Sequence, residues 1–387
     1  MTQNKTNKVS NVPPLRFPEF TEEWEKFALS DFTERVTRRN KGNACRLPLT
    51  ISAQYGLVDQ ITFFNKQIAS ADMSNYYLMK KGEFTYNKSY SGDYSWGAVK
   101  RLDRYDEGCL SSLYICFSLK PFVNSDFITH YFETTKWYRG VSEIAGEGAR
   151  NHGLLNIAIP DYFATKHYLP ASSEEQQKIA DLFNLLTKRI ETQIRVIEDL
   201  QTLKKAIRKL MFSELLLDND PNLQIKDVLE YEQPTKYLVS NTEYSDDVTL
   251  IPVLTANKAF ILGYTDEING IYSKGKCIIL DDFTLDCKLV DFPFKVKSSA
   301  IKILTAKRGA NIRYLYEYLR FLDLDTSEHK RHYIAEIEPL EIVMPDINIA
   351  NDIANALELM DKRIDLAENM LIQYRQQKQF LLQQLFI

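Results

Sequence analysis

Ile179-Ala180-Asp181-Leu182-Phe183-Asn184-Leu185-Leu186-Thr187-Lys188-Arg189-Ile190 is followed 174 positions later by Ile353-Ala354-Asn355-Ala356-Leu357-Glu358-Leu359-Met360-Asp361-Lys362-Arg363-Ile364. The two stretches share Ile-Ala and Lys-Arg-Ile in the same phase. At the same offset Lys204 falls on Lys378 and Phe212 on Phe386. The first stretch lies in a run from Ser173 to Glu214 that contains neither Gly nor Pro, and the second in a similar run from Asn348 onward. Apolar residues step by three and four along the first run and, apart from one gap of seven between Tyr374 and Leu381, along the second. They are Ile179, Phe183, Leu186, Ile190, Ile194, Ile197, Leu200, Leu203, Ile207 and Leu210 in the first, and Ile353, Leu357, Met360, Ile364, Ala367, Leu371, Tyr374, Leu381 and Leu385 in the second. This is the seam of a long amphipathic helix, narrow enough for a coiled coil. Ser172 with Glu175 gives the first helix a capping box. Leu169-Pro170 and Met344-Pro345 stand just ahead of the two runs.

Working outward, the repeat extends into the aromatic-rich regions before each helix. Leu29-Ser30-Asp31-Phe32 answers Ile225-Lys226-Asp227-Val228. Lys81-Gly82-Glu83-Phe84 answers Lys274-Gly275-Lys276-Cys277, and Ser111-Ser112-Leu113 answers Ser298-Ser299-Ala300. The matches keep their order, and the spacing tightens because the second half is shorter. The fold class expected is α+β, as a tandem duplication. Two strand-rich globular domains (residues 1–171 and 217–346) are each followed by a long helix (172–216 and 347–387). A domain between the helices lets the second return beside the first as an antiparallel coiled coil. A helix of ~40 residues is ~60 Å long, so this pairing would set the domains at opposite ends of a rod.

Composition agrees with this reading. The chain has 387 residues, 44% of them hydrophobic and 26% charged, which suits globular domains with real cores. Its 22 Tyr and 21 Phe favour strands. Cys45, Cys109, Cys116, Cys277 and Cys287 form no C-x-x-C pair, so neither a disulfide frame nor a zinc cluster is indicated. No apolar run reaches the ~18 residues of a membrane span. The opening residues lack the apolar stretch of a secretory signal, so a cytoplasmic location is expected. The 48 Lys and Arg are outnumbered by 52 Asp and Glu, so DNA binding by bulk charge is not indicated and local patches would have to serve.

Catalytic signals are incomplete. Gly270 to Cys277 falls one residue short of a phosphate-binding loop, with Cys277 where a hydroxyl should hold magnesium. It is better read as a turn into a strand. Asp282, Asp286 and Lys288 form the alternative to a binding role, a metal-dependent nuclease in which two carboxylates hold Mg²⁺ and a lysine orients water. Surfaces suited to DNA are clearer. Lys88, Ser89, Tyr90 and Ser91 combine phosphate-binding and base-bonding groups in a polar aromatic loop. Arg150, Asn151 and His152 lie in a glycine-flanked loop, where Arg suits guanine and Asn suits adenine. In the second half, Thr255, Asn257, Lys258, Lys295, Lys297, Lys307 and Arg308 are comparable. Lys204, Lys205, Arg208 and Lys209 read as a solvated helix face. Ile179, Phe183, Leu186, Ile190, Ile353, Leu357, Met360 and Ile364 are the expected helix-interface residues.

The chain resembles the specificity subunit of a type I restriction–modification system. The likeness rests on Pro14-Leu15-Arg16-Phe17-Pro18-Glu19-Phe20 with Trp24, on Leu169-Pro170 followed by Glu175-Gln176 and Ile179-Ala180, on Glu147 to Leu155, and on the duplicated layout. It departs from the pattern where Glu175-Gln176-Gln177 is answered by Ile349-Ala350-Asn351. The resemblance implies a non-catalytic, phage-defence subunit. Each globular domain would be a target recognition domain reading half of a bipartite double-stranded DNA target. The helices would set the spacer and dock two methyltransferase subunits, and those subunits, not this chain, would carry S-adenosylmethionine and methylate adenine. Motor-nuclease subunits would join for cleavage, and the resemblance leaves room for DNA-mimicking phage inhibitors. A coiled-coil scaffold without a DNA role is the other alternative.

Overall fold

In each half a one-turn helix is closed by its own third residue. The Ala28 N–H donates to Asp31 Oδ2 at 2.6 Å, and the Gln224 N–H to Asp227 Oδ2 at 2.8 Å. The carboxylate satisfies a donor that the short helix leaves open. In the computed structural model, residues 11–52, 55–89, 94–145, 154–255, 260–324 and 331–387 are described. Packing divides the chain into two compact units, Met1–Gln193 with Met370–Ile387, and Ile194–Asn369.

The first unit runs β1 (Glu25–Ala28), α1 (Leu29–Phe32), β2 (Thr33–Arg35), β3 (Leu49–Ser52), β4 (Gly56–Asp59), α2 (Gln60–Phe64), β5 (Tyr77–Lys80), β6 (Phe84–Asn87), β7 (Ala98–Arg101), β8 (Glu107–Leu110), β9 (Ile115–Leu119), α3 (Ser125–Tyr131), α4 (Tyr138–Ile144), α5 (Ile159–Ala164) and β10 (Lys166–Leu169), then enters α6 (Ser173–Asp218). The second runs β11 (Leu223–Gln224), α7 (Ile225–Val228), β12 (Leu229–Glu232), β13 (Ile251–Leu254), β14 (Ile261–Thr265), β15 (Cys277–Asp281), β16 (Cys287–Val290), β17 (Lys295–Val296), β18 (Ile301–Ala306), α8 (Ile312–Phe321) and β19 (Glu341–Ile342), then enters α9 (Ile347–Gln384).

The duplication is visible in the strand pairing. Before each one-turn helix a short strand pairs antiparallel with the strand preceding the long helix, β1 with β10 and β11 with β19. Each unit then carries a four-stranded antiparallel sheet in the same order, β2-β9-β6-β7 and β12-β18-β15-β16. Gly82 and Gly275, both at positive φ, make the turns into β6 and β15. Asn124 and Asn311 cap α3 and α8 through their side chains. The halves differ in their smaller sheets. The first has the pairs β3-β4 and β5-β8, and the second has β14-β13-β17.

Both cores take in the ends of the long helices. In the first unit Trp24, Phe84, Phe117, Phe127, Tyr131 and Tyr162 pack with Ile179, Ala180 and Phe183 of α6 and with Leu382 of α9, Leu385 and Phe386. In the second, Phe212 and Leu215 of α6 pack with Tyr314, Leu315 and Tyr318 and with Ile353, Ala354 and Leu357 of α9. Within each unit, then, the opening turns of one helix meet the closing turns of the other, which is the antiparallel sense. Phe386 lies 5.3 Å from Phe127 and 5.9 Å from Tyr131, ring to ring. Phe212 lies 5.5 Å from Tyr314 and 5.2 Å from Tyr318, the matching positions. Ile179, Phe183, Leu186, Ile353, Leu357, Met360 and Ile364 are all buried, and Ile190 is half-buried.

The seam departs from expectation in its second part. Leu203 and Leu210 are 48% and 59% exposed. The inward positions are Lys204 and Arg208, which corrects their reading as a solvated face; Lys205 and Lys209 are exposed as expected. The reason is Glu317 of α8, fully buried beside α6. Lys204 Nζ stands 3.0 Å and Arg208 Nε 2.8 Å from its carboxylate. Lys204 also reaches Asp361 of α9 at 2.6 Å. At the equivalent place in the first unit, Lys378 of α9 donates to Thr187 of α6 at 2.9 Å and pairs with Glu133 at 3.0 Å.

The departure at Ile349-Ala350-Asn351 also has a local cause. Glu175 is buried and binds the N-terminal arm, with Arg16 Nε and Nη2 each 2.7 Å away and Trp24 Nε1 at 3.2 Å. The Leu15 N–H donates to the Gln384 carbonyl at 3.0 Å, so the arm joins the ends of both long helices in this unit. Ile349 is exposed, and among the described residues no arm of this kind is bound to it. One bond survives in both halves. Asn124 Nδ2 donates to Gln177 at 2.7 Å, and Asn311 Nδ2 to Asn351 at 2.7 Å.

Candidate nucleic-acid interface

In the first unit the two DNA-facing loop candidates share a base. Ser89 pairs antiparallel with Leu154, and the Leu155 N–H donates to the Lys88 carbonyl at 2.9 Å. Strand β6 delivers one loop and the approach to α5 delivers the other. Lys88 is half-buried and Ser89 exposed. Tyr90, Ser91, Arg150, Asn151 and His152 lie outside the described residues. Both loops leave the sheet beyond the Tyr86–Ile115 pair, at the start of β9. Lys120, at the other end of β9, faces the one-turn helix and donates to the Ser30 and Asp31 carbonyls at 3.1 and 2.9 Å.

The second unit places its candidates at two ends. The Lys297 N–H donates to the Leu254 carbonyl at 3.0 Å, so Lys297 and the segment after β13 meet ahead of β18. Lys297 is exposed and Thr255 is buried, while Asn257 and Lys258 lie outside the described residues. Lys307 and Arg308 are exposed but follow the far end of β18, about 20 Å away for a strand of six residues. Lys307 Nζ donates to the Lys226 carbonyl at 2.6 Å. This repeats the bond of Lys120 to Ser30, which makes Lys307 a tether for the one-turn helix. Lys295 is buried between Glu267, at 2.9 Å, and the Asn269 carbonyl at 2.5 Å. It is a structural ion pair, which corrects its reading as an open DNA contact.

The nuclease residues do not form a cation site. Asp282 is fully buried, 3.1 Å from Lys302 Nζ, and accepts the His332 and Tyr333 N–H groups at 3.1 and 2.8 Å. Asp286 is engaged by Arg320 at 3.0 Å. Among the described residues, no group of three or more His, Cys, Asp or Glu is arranged to hold a metal ion. Cys277 begins strand β15 with no helix behind it, as a turn-to-strand reading of Gly270 to Cys277 expects. Reading by motif passes over the run from Arg35 to Arg46. The signal that finds it is charge counted over a short window instead of over the whole chain.

The fold and these loops define a duplicated protein in which each repeat gives one four-stranded sheet, one end with candidate loops and one long helix. No family model matches the chain. A stretch of 129 residues is 47% identical to the EcoR124I/EcoR124II type I restriction enzyme specificity subunit of Escherichia coli, and the match spans 32% of each chain, about a third of that relative's length. Over 97% of this chain and 99% of the other, the fold matches the type I restriction–modification S subunit of M. genitalium, with a TM-score of 0.57 at 14% identity. A chain from a structure describing complex assembly and conformational transition of the type I R-M system matches with a TM-score of 0.51 at 12% identity, covering 95% of this chain and 98% of that one. In sequence and in fold the chain is thus similar to type I restriction–modification specificity subunits. Among the described residues, no helix is long and apolar enough to cross a membrane.

Proposed function

We propose that this chain is the non-catalytic DNA-recognition subunit of a type I restriction–modification complex, each repeat reading one half of a bipartite target. The observation that carries the reading is the repeated sheet with candidate residues at one matching end in both halves, Lys307 and Arg308 standing apart beyond the far end of β18. In the first unit the matching residues follow β6 beside the start of β9, and in the second they lie ahead of β18, its counterpart. Two like readers on one chain suit a target of two unlike halves. Lys88 would meet phosphate, with Ser89, Tyr90, Ser91, Arg150, Asn151 and His152 at phosphates or base edges. Asn257, Lys258 and Lys297 would serve the second half.

The long helices would dock two methyltransferase subunits, which hold S-adenosylmethionine and methylate adenine, and motor-nuclease subunits would join for cleavage. Leu185 on α6 and Leu359 on α9 support two like partners. They occupy matching positions and are 67% and 54% exposed. The test replaces residues from Phe20 to Asp161 with the corresponding region of another such subunit and maps methylated adenines genome-wide. A change in one half-site alone is expected. A change in both, or no sequence-specific methylation by the unaltered complex, would overturn the reading.

A further inference from the structure

We infer that the segment from Arg35 to Arg46 is a DNA-phosphate clamp beside the reading loops of the first repeat, a contact that rests on the proposed DNA-reading role and adds residues to it. Arg35, Arg38, Arg39, Lys41 and Arg46 place five cations in twelve residues, and no Asp or Glu occurs from Arg35 to Val58. In a chain with more acids than bases, that concentration is a local electrostatic footprint for a polyanion. The second repeat lacks it, because β12 leads into Glu232 and Pro234-Thr235-Lys236-Tyr237.

Position supports the assignment. Arg35 ends β2 opposite Phe117, and the Val36 N–H donates to the Cys116 carbonyl at 2.9 Å. The segment therefore leaves the sheet at the end of β9 where the Lys88 loop also leaves. In the order β2-β9-β6 the two exits are separated by two strand spacings, about 10 Å. That is close to the width of a DNA groove.

The segment is also preorganised and its charges are available. Buried Asn40 spans its own turn, with its side chain accepting from the Cys45 N–H at 2.9 Å and donating to the Cys45 carbonyl at 2.8 Å. Gly42 and Asn43 turn the chain at positive φ, which leaves Lys41 exposed at the tip. Thr37, Arg38, Arg39, Asn40, Lys41 and Leu78 line an open cleft of about 550 Å³. Arg38 is held by Glu83 at 2.8 Å. The Arg39 guanidinium lies 4.4 Å over the Tyr77 ring and donates from Nη1 to the Asn75 carbonyl at 2.5 Å, neutral supports that leave its charge without a counter-ion. Among the described residues, no carboxylate is within ion-pair distance of Arg35, Arg39, Lys41 or Arg46. A rigid loop loses little entropy on binding.

The test uses the full chain co-assembled with its methyltransferase subunits, on a duplex bearing the mapped target and on an unrelated duplex. Replacing Arg39, Lys41 and Arg46 together by Ala should weaken both duplexes by a similar factor, tenfold or more at moderate salt. It should also flatten the plot of log affinity against log salt by about one unit per cation removed. Arg39→Lys with Arg46→Lys should keep the slope, because phosphate contact needs the charge and not the guanidinium shape. Unchanged affinity and slope in a folded triple variant would overturn the clamp while leaving the proposed function standing. Loss confined to the target duplex would overturn it too, by marking base contacts. If the unaltered complex binds neither duplex, the DNA-reading role itself fails.

Discussion

Glu317 is fully buried on α8, and three cations converge on it. Arg313 stands 3.2 Å away, on the same helix, beside Lys204 and Arg208 from α6. Burial pushes the Lys204 ammonium down from its ordinary value, and Glu317 opposes that shift. Removing the acid strands the cations. Glu317→Ala should therefore cost about 3–5 kcal/mol, read as a lower urea midpoint, with faster amide exchange in α8 and unchanged exchange in α3. A midpoint equal to the parent's would show that the cations find water instead. His167 gives a pH-dependent counterpart in the first unit. Burial holds its pKa down at about 3, and its ring nitrogens meet Tyr131 Oη at 2.8 Å and Thr165 Oγ1 at 2.9 Å. Below its unfolded value near 6.5 the unfolded chain takes up a proton that the folded ring refuses. Stability conferred by neutral His167 is thus complete above about 6.5 and lost as pH falls toward 3. Glu133 adds a lower step. Burial alone would raise it, but the bond from His130 and the charge of Lys378 hold it at about 2, so its stabilisation fades as pH falls from about 4.5 toward 2. Thermal melts of the parent and of His167→Gln between pH 7 and 4 should converge as pH falls. Parallel curves would remove His167 as the cause.

Phe212 and Phe386 show what a repeated helix end does. Both side chains are fully buried, Phe386 against two aromatic residues of α3 and Phe212 against three of α8. Truncation of a buried Phe to Ala removes about 3–5 kcal/mol. Phe386→Ala should loosen the first unit and Phe212→Ala the second, as amide exchange mapped along the chain would report. Equal loosening of both units by either variant would contradict separate cores. The match between these phenylalanines was legible in the sequence, as were both long helices and the glycine turns, while the one-turn helices showed only as a repeated tetrapeptide. Each is a local signal with a fixed period or a special backbone angle. The inward Lys204 and Arg208 were not legible, because their burial depends on Glu317, more than a hundred residues away. The bond of Lys307 to the Lys226 carbonyl had no local sign either. A lysine after a strand looks like open surface until the Lys226 carbonyl is placed beside it. The Arg16–Glu175 pair joins residues 159 apart, so the arm's role had no local sign. Candidate loops were found by polarity and glycine, while the charge run at Arg35 to Arg46 was diluted by an acidic whole-chain average.

At the scale of the whole chain, the two long helices are the shared elements. α6 begins in the first unit and ends in the second, and α9 runs from the second back into the first. If each unit reads one half-site, the helices are the covalent links that can fix the gap between half-sites. The place to test this is where the units divide, not at Phe212, which is locked in the second core. Four residues inserted after Gln193 in α6, together with four after Asn369 in α9, would leave the packed ends of both helices with their own partners. A matched insertion keeps the antiparallel seam in register, whereas lengthening one helix alone would slide it. Four helical residues add ~6 Å, and DNA rises ~3.4 Å per base pair. The expected outcome is methylation at unchanged half-site sequences separated by one or two more base pairs, read by genome-wide mapping of methylated adenine. The added turn also rotates one unit by about 40° relative to the helix axis, since four residues exceed the 3.6 of one turn. Modification should accordingly be slower than in the parent while its sequence preference is kept. An active double insertion that methylates the original spacer would show that something other than the helices sets the distance.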